Sequence, residues 1–459
     1  MNGWFRDAGE EGARVLLGRL LGTGLGVGAA IAAVGALLAP VLPWAIGAGA
    51  DAGTKRAAVA MTALLFVTVA TRIGAEVFRA ALNARFSFVA PAAMPLVENL
   101  TVLATLLLFH GTLGVTAVAV GYVAGGVTQL TFVAAAAARR GLLVRPRLGL
   151  GREEARRIRR LLALPLAGAG LTMLARVAER LFASFLPPGQ LTILGYGWVV
   201  VNSIGGTVFF RSVVVALLPR LAEARDDERA TRSILTDGIR LMLLVSLPLL
   251  VALVVLAEPL VAVAFQRGRF GPAQAALLAQ VIAVYALQFP FDAVTRAYMS
   301  YWFARLHTLV PFVNVVVMVV LDVTVAAALF LPLGIFGIAL AYDVAAVGYL
   351  LHGAWSVHRR VSLPGRALAA DVARILAASG ISGLVMWAVL QGLRPDANLA
   401  GRLVRLVVPG AAGALALLVV LAVLGIRIWS VLLPWVRRRP GARVPGAGRE
   451  EAPRGPRSG

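Results

Sequence analysis

Three ionisable residues stand inside one apolar run. They are Arg176, Glu179 and Arg180, in the stretch Ala175 to Gly197, ARVAERLFASFLPPGQLTILGYG. Positions three and four apart are neighbours on a helix, which predicts one shared face. Pro187-Pro188-Gly189 ends that helix and a new apolar one begins at once. Ionisable side chains are costly within a membrane, so they face a protein interior or a wet cavity. Arginine presents a planar fork of donors that matches phosphate oxygens. Arg176 and Arg180 are therefore candidate cavity cations for an anionic substrate. The alternative is neutralisation by Glu179 or Asp322 within the bundle.

Other embedded charges extend the pattern. In MTALLFVTVATRIGAEVFRAAL, Arg72, Glu76 and Arg79 form one helical stripe. Arg72 is either a cavity-lining cation or half of an internal pair with Glu76. Arg79 lies near a helix end and is expected to snorkel. Glu98 has no partner in its own helix, and a bond across to Arg72 is the natural guess. Arg211 is a fourth candidate cavity cation, with snorkelling as the competing reading. Glu179, Asp322 and Asp343, with Asn314, form a candidate site for a monovalent cation or proton. The three carboxylates are expected about 9–14 Å inside the outer end of their helices. Pairing with Arg176 or Arg180 is the competing account. Asp292 and Arg296, four apart, are expected to pair internally.

The elements that must carry these residues are membrane spans. The chain has 459 residues, of which 59% are hydrophobic and only 14% charged. Its mean hydropathy is +0.85. This is the composition of an all-α polytopic membrane protein. About twelve transmembrane helices are expected, near 17–44, 57–82, 88–110, 114–137, 161–185, 192–218, 239–265, 272–298, 308–330, 334–356, 367–391 and 402–425. The organisation expected is an early lobe of four spans (1–137), a basic linker (138–160), a late lobe of six spans (161–356), a C-terminal helix pair (367–425) and a basic, disordered tail (427–459). The segment Arg152 to Arg160 reads either as an amphipathic surface helix or as a solvated connector.

The net charge is +22, almost wholly from arginine, since Lys55 is the only lysine. In a membrane protein this points to anionic membrane lipids and the positive-inside rule rather than to nucleic acid. Arginine-dense loops at 138–160, 219–240 and 357–366, and the tail, fall on one side if both termini are cytoplasmic. With no cysteine, disulfides, thiol catalysis and cysteine metal sites are excluded. No zinc-protease, Walker A or nucleophile-elbow motif occurs. The residues therefore point to a transporter, not an enzyme, with no cofactor beyond a coupling Na+ or H+.

Several short pieces carry a family resemblance. Glu179-Arg-Leu-Phe-Ala-Ser-Phe-Leu-Pro-Pro-Gly189 is followed by Tyr196 and by Ala216-Leu-Leu-Pro-Arg-Leu221. Leu82-Asn-Ala-Arg-Phe86 with Ala90-Pro91, Phe265-Gln-Arg-Gly-Arg-Phe270 and Gly337-Ile-Ala-Leu-Ala341 complete the set, in order. Together they resemble the MurJ (MviN) lipid II flippases of the MOP superfamily. The resemblance implies a two-lobed MOP-flippase-like bundle with an extra C-terminal helix pair. It implies a bacterial cytoplasmic-membrane flippase working by alternating access on a polyprenyl-pyrophosphate-linked cell-wall precursor. The cell-wall synthesis machinery is an expected partner, and the late lobe an expected sodium site. The last two spans would form a groove for the prenyl tail. An exporter of another polyprenyl-linked oligosaccharide, or a non-transporting scaffold, is the alternative. The chain departs from the pattern in two places. Its first span matches the family's third, so two further spans upstream, or a partner closing the gap, are expected. Trp198 and Val199 stand where the family commonly has an acidic residue and an arginine.

Overall fold

The computed structural model describes residues 9–46, 51–85, 87–149, 151–268, 270–394 and 398–425. The tail from Arg427, and Arg269 of the 265–270 motif, lie outside them. Among the described residues the only regular structure is helix, with no strand. In order, the helices are α1 (Gly9–Leu38), α2 (Leu42–Ile46), α3 (Ala52–Ala84), α4 (Val89–Leu113), α5 (Thr116–Ala138), α6 (Arg152–Ser184) and α7 (Gln190–Val201). A π-helical stretch, Asn202–Phe210, then leads into α8 (Arg211–Glu223). The rest are α9 (Glu228–Ala264), α10 (Pro272–Ala286), α11 (Phe289–Ala304), α12 (Leu309–Leu333), α13 (Ile335–His358), α14 (Gly365–Gly392) and α15 (Leu399–Val423).

Each of the twelve expected intervals falls on helix. Among the described residues, ten helices are long and apolar enough to cross a membrane, or eleven with α7 and α8 taken as one span bent by 42°. The tenth and eleventh helices count as a single span of 33 residues. Local signals set the helix starts. Asp51 accepts from Thr54 N–H at 2.9 Å, Asp227 from Ala230 N–H at 3.0 Å and Asn398 from Gly401 N–H at 2.6 Å. Each side chain satisfies a donor that the first helical turn leaves open.

Packing divides the chain into two units, Met1–Leu194 with Val315–Val344, and Gly195–Asn314 with Ala345–Gly459. The first unit has a core of Leu17, Leu21, Phe78, Leu82, Met94 and Val133 from α1, α3, α4 and α5. Gly121 and Gly125, four apart on α5, meet the backbone of Val102 and Glu98 on α4 at what would be tight Cβ distances of 3.1–3.2 Å. Small residues at this spacing let membrane helices approach closely where no hydrophobic force draws them together. In the second unit, α9 packs against α8, α10, α11, α14 and α15. Two arginines tie it to its neighbours. Arg240 Nε donates to Asp371 of α14 at 2.7 Å. Arg402 of α15 donates to the carbonyls of Ala262 and Gln266, at 3.3 and 2.9 Å.

Candidate functional site

The embedded charges of the first unit form two nodes. The first joins α3, α4 and α5. Arg72 on α3 is ion-paired with Glu98 on α4, and Gln129 Nε2 on α5 donates to the other Glu98 oxygen at 3.2 Å. Gln129 also donates to the Met94 carbonyl at 3.2 Å. The close α4–α5 approach at Gly125 places Glu98 within reach of Gln129. Glu98 is buried while Arg72 is half-exposed. The cross-helix bond is therefore formed, and the Arg72–Glu76 pair is not. Glu76 instead accepts from Arg79 Nε at 2.6 Å, one turn on. Glu98 lies buried with Gln129, whereas Glu76 is exposed on the same face of α3 as Arg72 and is taken by Arg79.

The second node lies on α6, α12 and α13. Arg176 Nη1 donates to Glu179 Oε2 at 2.7 Å. The Arg176 guanidinium also sits over the Tyr342 ring, 5.0 Å from its centroid, a cation–π contact. Phe182 stacks on Phe330 at 5.1 Å, which fixes α6 against α12. Asp322 is fully buried and within hydrogen-bond reach of the Glu179 carboxyl, and the charge of Arg176 acts on it. Glu179 and Asp343 are buried as well. Neither Asp322 oxygen meets an N–H or hydroxyl donor among the described residues. Buried carboxyl oxygens without such donors fit a bound proton or small cation, because burial without compensation is costly. No group of three or more His, Cys, Asp or Glu among the described residues is gathered tightly enough to hold a metal ion.

The remaining candidates are placed differently. Arg180 is exposed, unlike Arg176 and Glu179. At about 100° per residue, Arg180 points a quarter-turn away from Glu179. Arg211 is exposed at the junction between the π-helical stretch and α8. Asn314 belongs to the second unit, with its Oδ1 2.8 Å from His352 Nδ1. Asp292 and Arg296 pair at 2.8 Å as expected. Sequence reasoning missed three polar partners. Gln129 and Tyr342 bind the arginine nodes, and Tyr349 donates its hydroxyl to Asp292 at 3.0 Å. All three sit in apolar runs with no charge pattern to mark them.

The chain is similar to known proteins in sequence and in fold. A sequence profile described as "Lipid II flippase MurJ" matches residues 5–395. A probable lipid II flippase MurJ of Rhizobium meliloti (strain 1021) is 28% identical over 378 residues, which is 78% of this chain and 67% of the relative. Its counterpart in Bdellovibrio bacteriovorus is 26% identical over 274 residues, 58% of this chain and 51% of the relative. The chain thus spans between half and two thirds of the length of these relatives. Among solved structures, a lipid II flippase MurJ in an inward closed conformation superposes with a TM-score of 0.74 at 18% identity, covering 94% of this chain and 87% of that one. An inward-facing MATE family multidrug transporter of the MOP superfamily gives 0.56 at 14% identity, covering 75% and 79%. The fold is that of the MOP transporters, and the profile match over residues 5–395 places the chain in the lipid II flippase MurJ family.

Proposed function

We propose that this chain translocates lipid II, the lipid-linked peptidoglycan precursor, across the bacterial inner membrane by alternating access. The observation that carries the reading is the family match over residues 5–395. The embedded arginines agree with it. A pyrophosphate headgroup needs compensating positive charge at membrane depth, and Arg72, Arg176, Arg180 and Arg211 are the cations available for that role. Arg180 and Arg211 are the two that make no ion pair among the described residues. A proton carried by the buried, neighbouring carboxyls of Glu179 and Asp322 is the coupling ion of this reading. Both termini lie in the cytoplasm, and the cell-wall synthesis machinery is its partner. An exporter of a different polyprenyl-diphosphate-linked oligosaccharide is the second reading, since Trp198 and Val199 bring no charge to the helix that follows Pro187-Pro188-Gly189.

The experiment is complementation of cells depleted of their own lipid II flippase. Growth is expected with the wild-type gene and is expected to fall with Arg176→Ala or Arg180→Ala, at unchanged protein level in the membrane. Arg176→Lys should restore growth only in part, since lysine lacks the bidentate fork. Full growth with both alanine variants would remove these arginines from the transport path. No growth with the wild-type gene would favour the exporter.

A further inference from the structure

The basic linker after α5 is not a free connector. After a turn at residues 139–141, residues 142–149 form a strap laid on the early turns of α1. Arg147 N–H donates to the Gly18 carbonyl at 2.9 Å, and Arg14 Nη2 donates to the Gly141 carbonyl at 2.7 Å. Leu142 is buried in the α1–α3–α4–α5 core. The strap can lie this close because α1 offers a glycine floor. A Cβ at Gly18 would stand 2.8 Å from the Arg145 carbonyl, and one at Gly22 would stand inside the Arg147 backbone. Beyond the strap, Arg19 bonds Glu154 at 3.1 Å, and Glu154 also accepts from Gly151 N–H at 2.7 Å. The nearest paired carboxylate is thus already occupied.

On the turn and the strap are Arg139, Arg140, Arg145 and Arg147, all exposed and none in an ion pair among the described residues. Beside them stand two exposed leucines, Leu143 (61% exposed) and Leu148 (83%), the second with its Cδ2 over Gly26 of α1. The positive-inside rule accounts for arginines near this end of α5. It does not account for a fixed backbone, or for exposed leucines beside the cations. Free anions and nucleic acid would match the guanidinium groups alone. A ligand that matches both has a phosphate and an acyl chain on one molecule. The strap begins one turn after α5, a helix long and apolar enough to cross a membrane. It therefore lies at the level of lipid headgroups.

We infer that the strap of residues 142–148 on the glycine floor of α1 is a preformed binding site for the headgroup of an anionic phospholipid. Arg145 and Arg147 hold the phosphate, and Leu143 and Leu148 lie along the first carbons of the acyl chains. The site stands apart from the transport reading and does not depend on what the protein carries.

The test is binding of fluorescent phosphatidylglycerol to the full chain in neutral detergent. Phosphatidylcholine with the same chains and inorganic pyrophosphate at equal ionic strength are the comparison ligands. Phosphatidylglycerol should bind and phosphatidylcholine should not, and pyrophosphate should displace only a minor part. R145Q/R147Q should weaken binding ~25-fold, at about fivefold per headgroup-facing charge. Gly22→Val keeps every charge but pushes the strap off its floor, and should weaken binding at least about fivefold. If R145Q/R147Q melts early in lipid-free detergent, the single variants R145Q and R147Q, each expected to weaken binding about fivefold, supply the same readout. Binding within twofold of wild type in the arginine variants would overturn the inference. So would equal binding of phosphatidylcholine, or complete displacement by pyrophosphate, which would mark a bare anion site.

Discussion

Replacing Arg72 by alanine should cost more stability than replacing its partner Glu98. The charge-assisted bond between them is worth about 1.5–3 kcal/mol to either variant. What is left behind differs. Arg72→Ala strands a carboxylate whose side chain is only 11% exposed, with Gln129 as its remaining donor. An orphaned buried acceptor adds about 1–3 kcal/mol, which brings the total to ~3–5 kcal/mol. Glu98→Ala strands an arginine that is 49% exposed and can find water or headgroups. Gln129 keeps its bond to the Met94 carbonyl, so this loss should stay near ~2 kcal/mol. The double variant removes both charges together. It should fall short of the sum of the two singles by about 2 kcal/mol, within the range for residues in direct contact. The assay is reversible unfolding of the purified protein in mixed micelles, with all four proteins in one double-mutant cycle. Additive losses within about 0.5 kcal/mol, or a larger loss for Glu98→Ala, would refute the claim that this node locks α3 to α4.

Three further outcomes follow from the structure. If Glu179, Asp322 and Asp343 hold sodium, the ion should raise the melting temperature by mass action, and Asp322→Asn should abolish the increment. Equal melting in sodium and in a large organic cation would leave the node as an ion pair alone. A Cβ at Gly337 would stand against the backbone carbonyl of Leu329, which no rotamer change can relieve. Gly337→Ala should therefore cost ~1–3 kcal/mol as an overpacking change, whereas Gly365→Ala, with open space around it, should cost less than about 1. Thermal unfolding of the two variants side by side decides this. Finally, a cysteine at Leu143 should resist an impermeant thiol reagent in intact cells while one at Gln190 reacts. Equal labelling would reverse the proposed orientation of the strap.

The spans were legible because apolar length is a one-dimensional signal: Val89–Leu113 and Leu309–Leu333 can be read off the sequence within a few residues. The Arg72–Glu98 bond was legible by elimination, since Glu98 had no local partner. The partner of Glu76 was not, because i+3 and i+4 neighbours compete and only the three-dimensional setting decides which exposed arginine bends toward it. Arg176, Glu179 and Arg180 satisfied the rule for a shared face. Yet that face spans about 100° between Glu179 and Arg180, enough to bury one and expose the other. The strap was the least visible feature. Gly18 and Gly22 read as ordinary small residues of a membrane helix, and a glycine floor has meaning only once the chain that rests on it is known.

The contacts of Arg402 bear on the order in which the protein can be completed. The last carbonyls of a helix have no partner within it and must find one elsewhere. At the end of α9, Arg402 supplies that partner from a helix more than a hundred residues further along the chain. Farther back along α9, the side chain of Arg240 likewise waits on Asp371. During synthesis, α9 thus emerges long before either bond can form, and water or headgroups must occupy its terminal carbonyls in the interval. The second unit can close only when α15 has left the ribosome. Nascent chains that stop short of residue 399 should expose the end of α9 to proteases and quality-control factors.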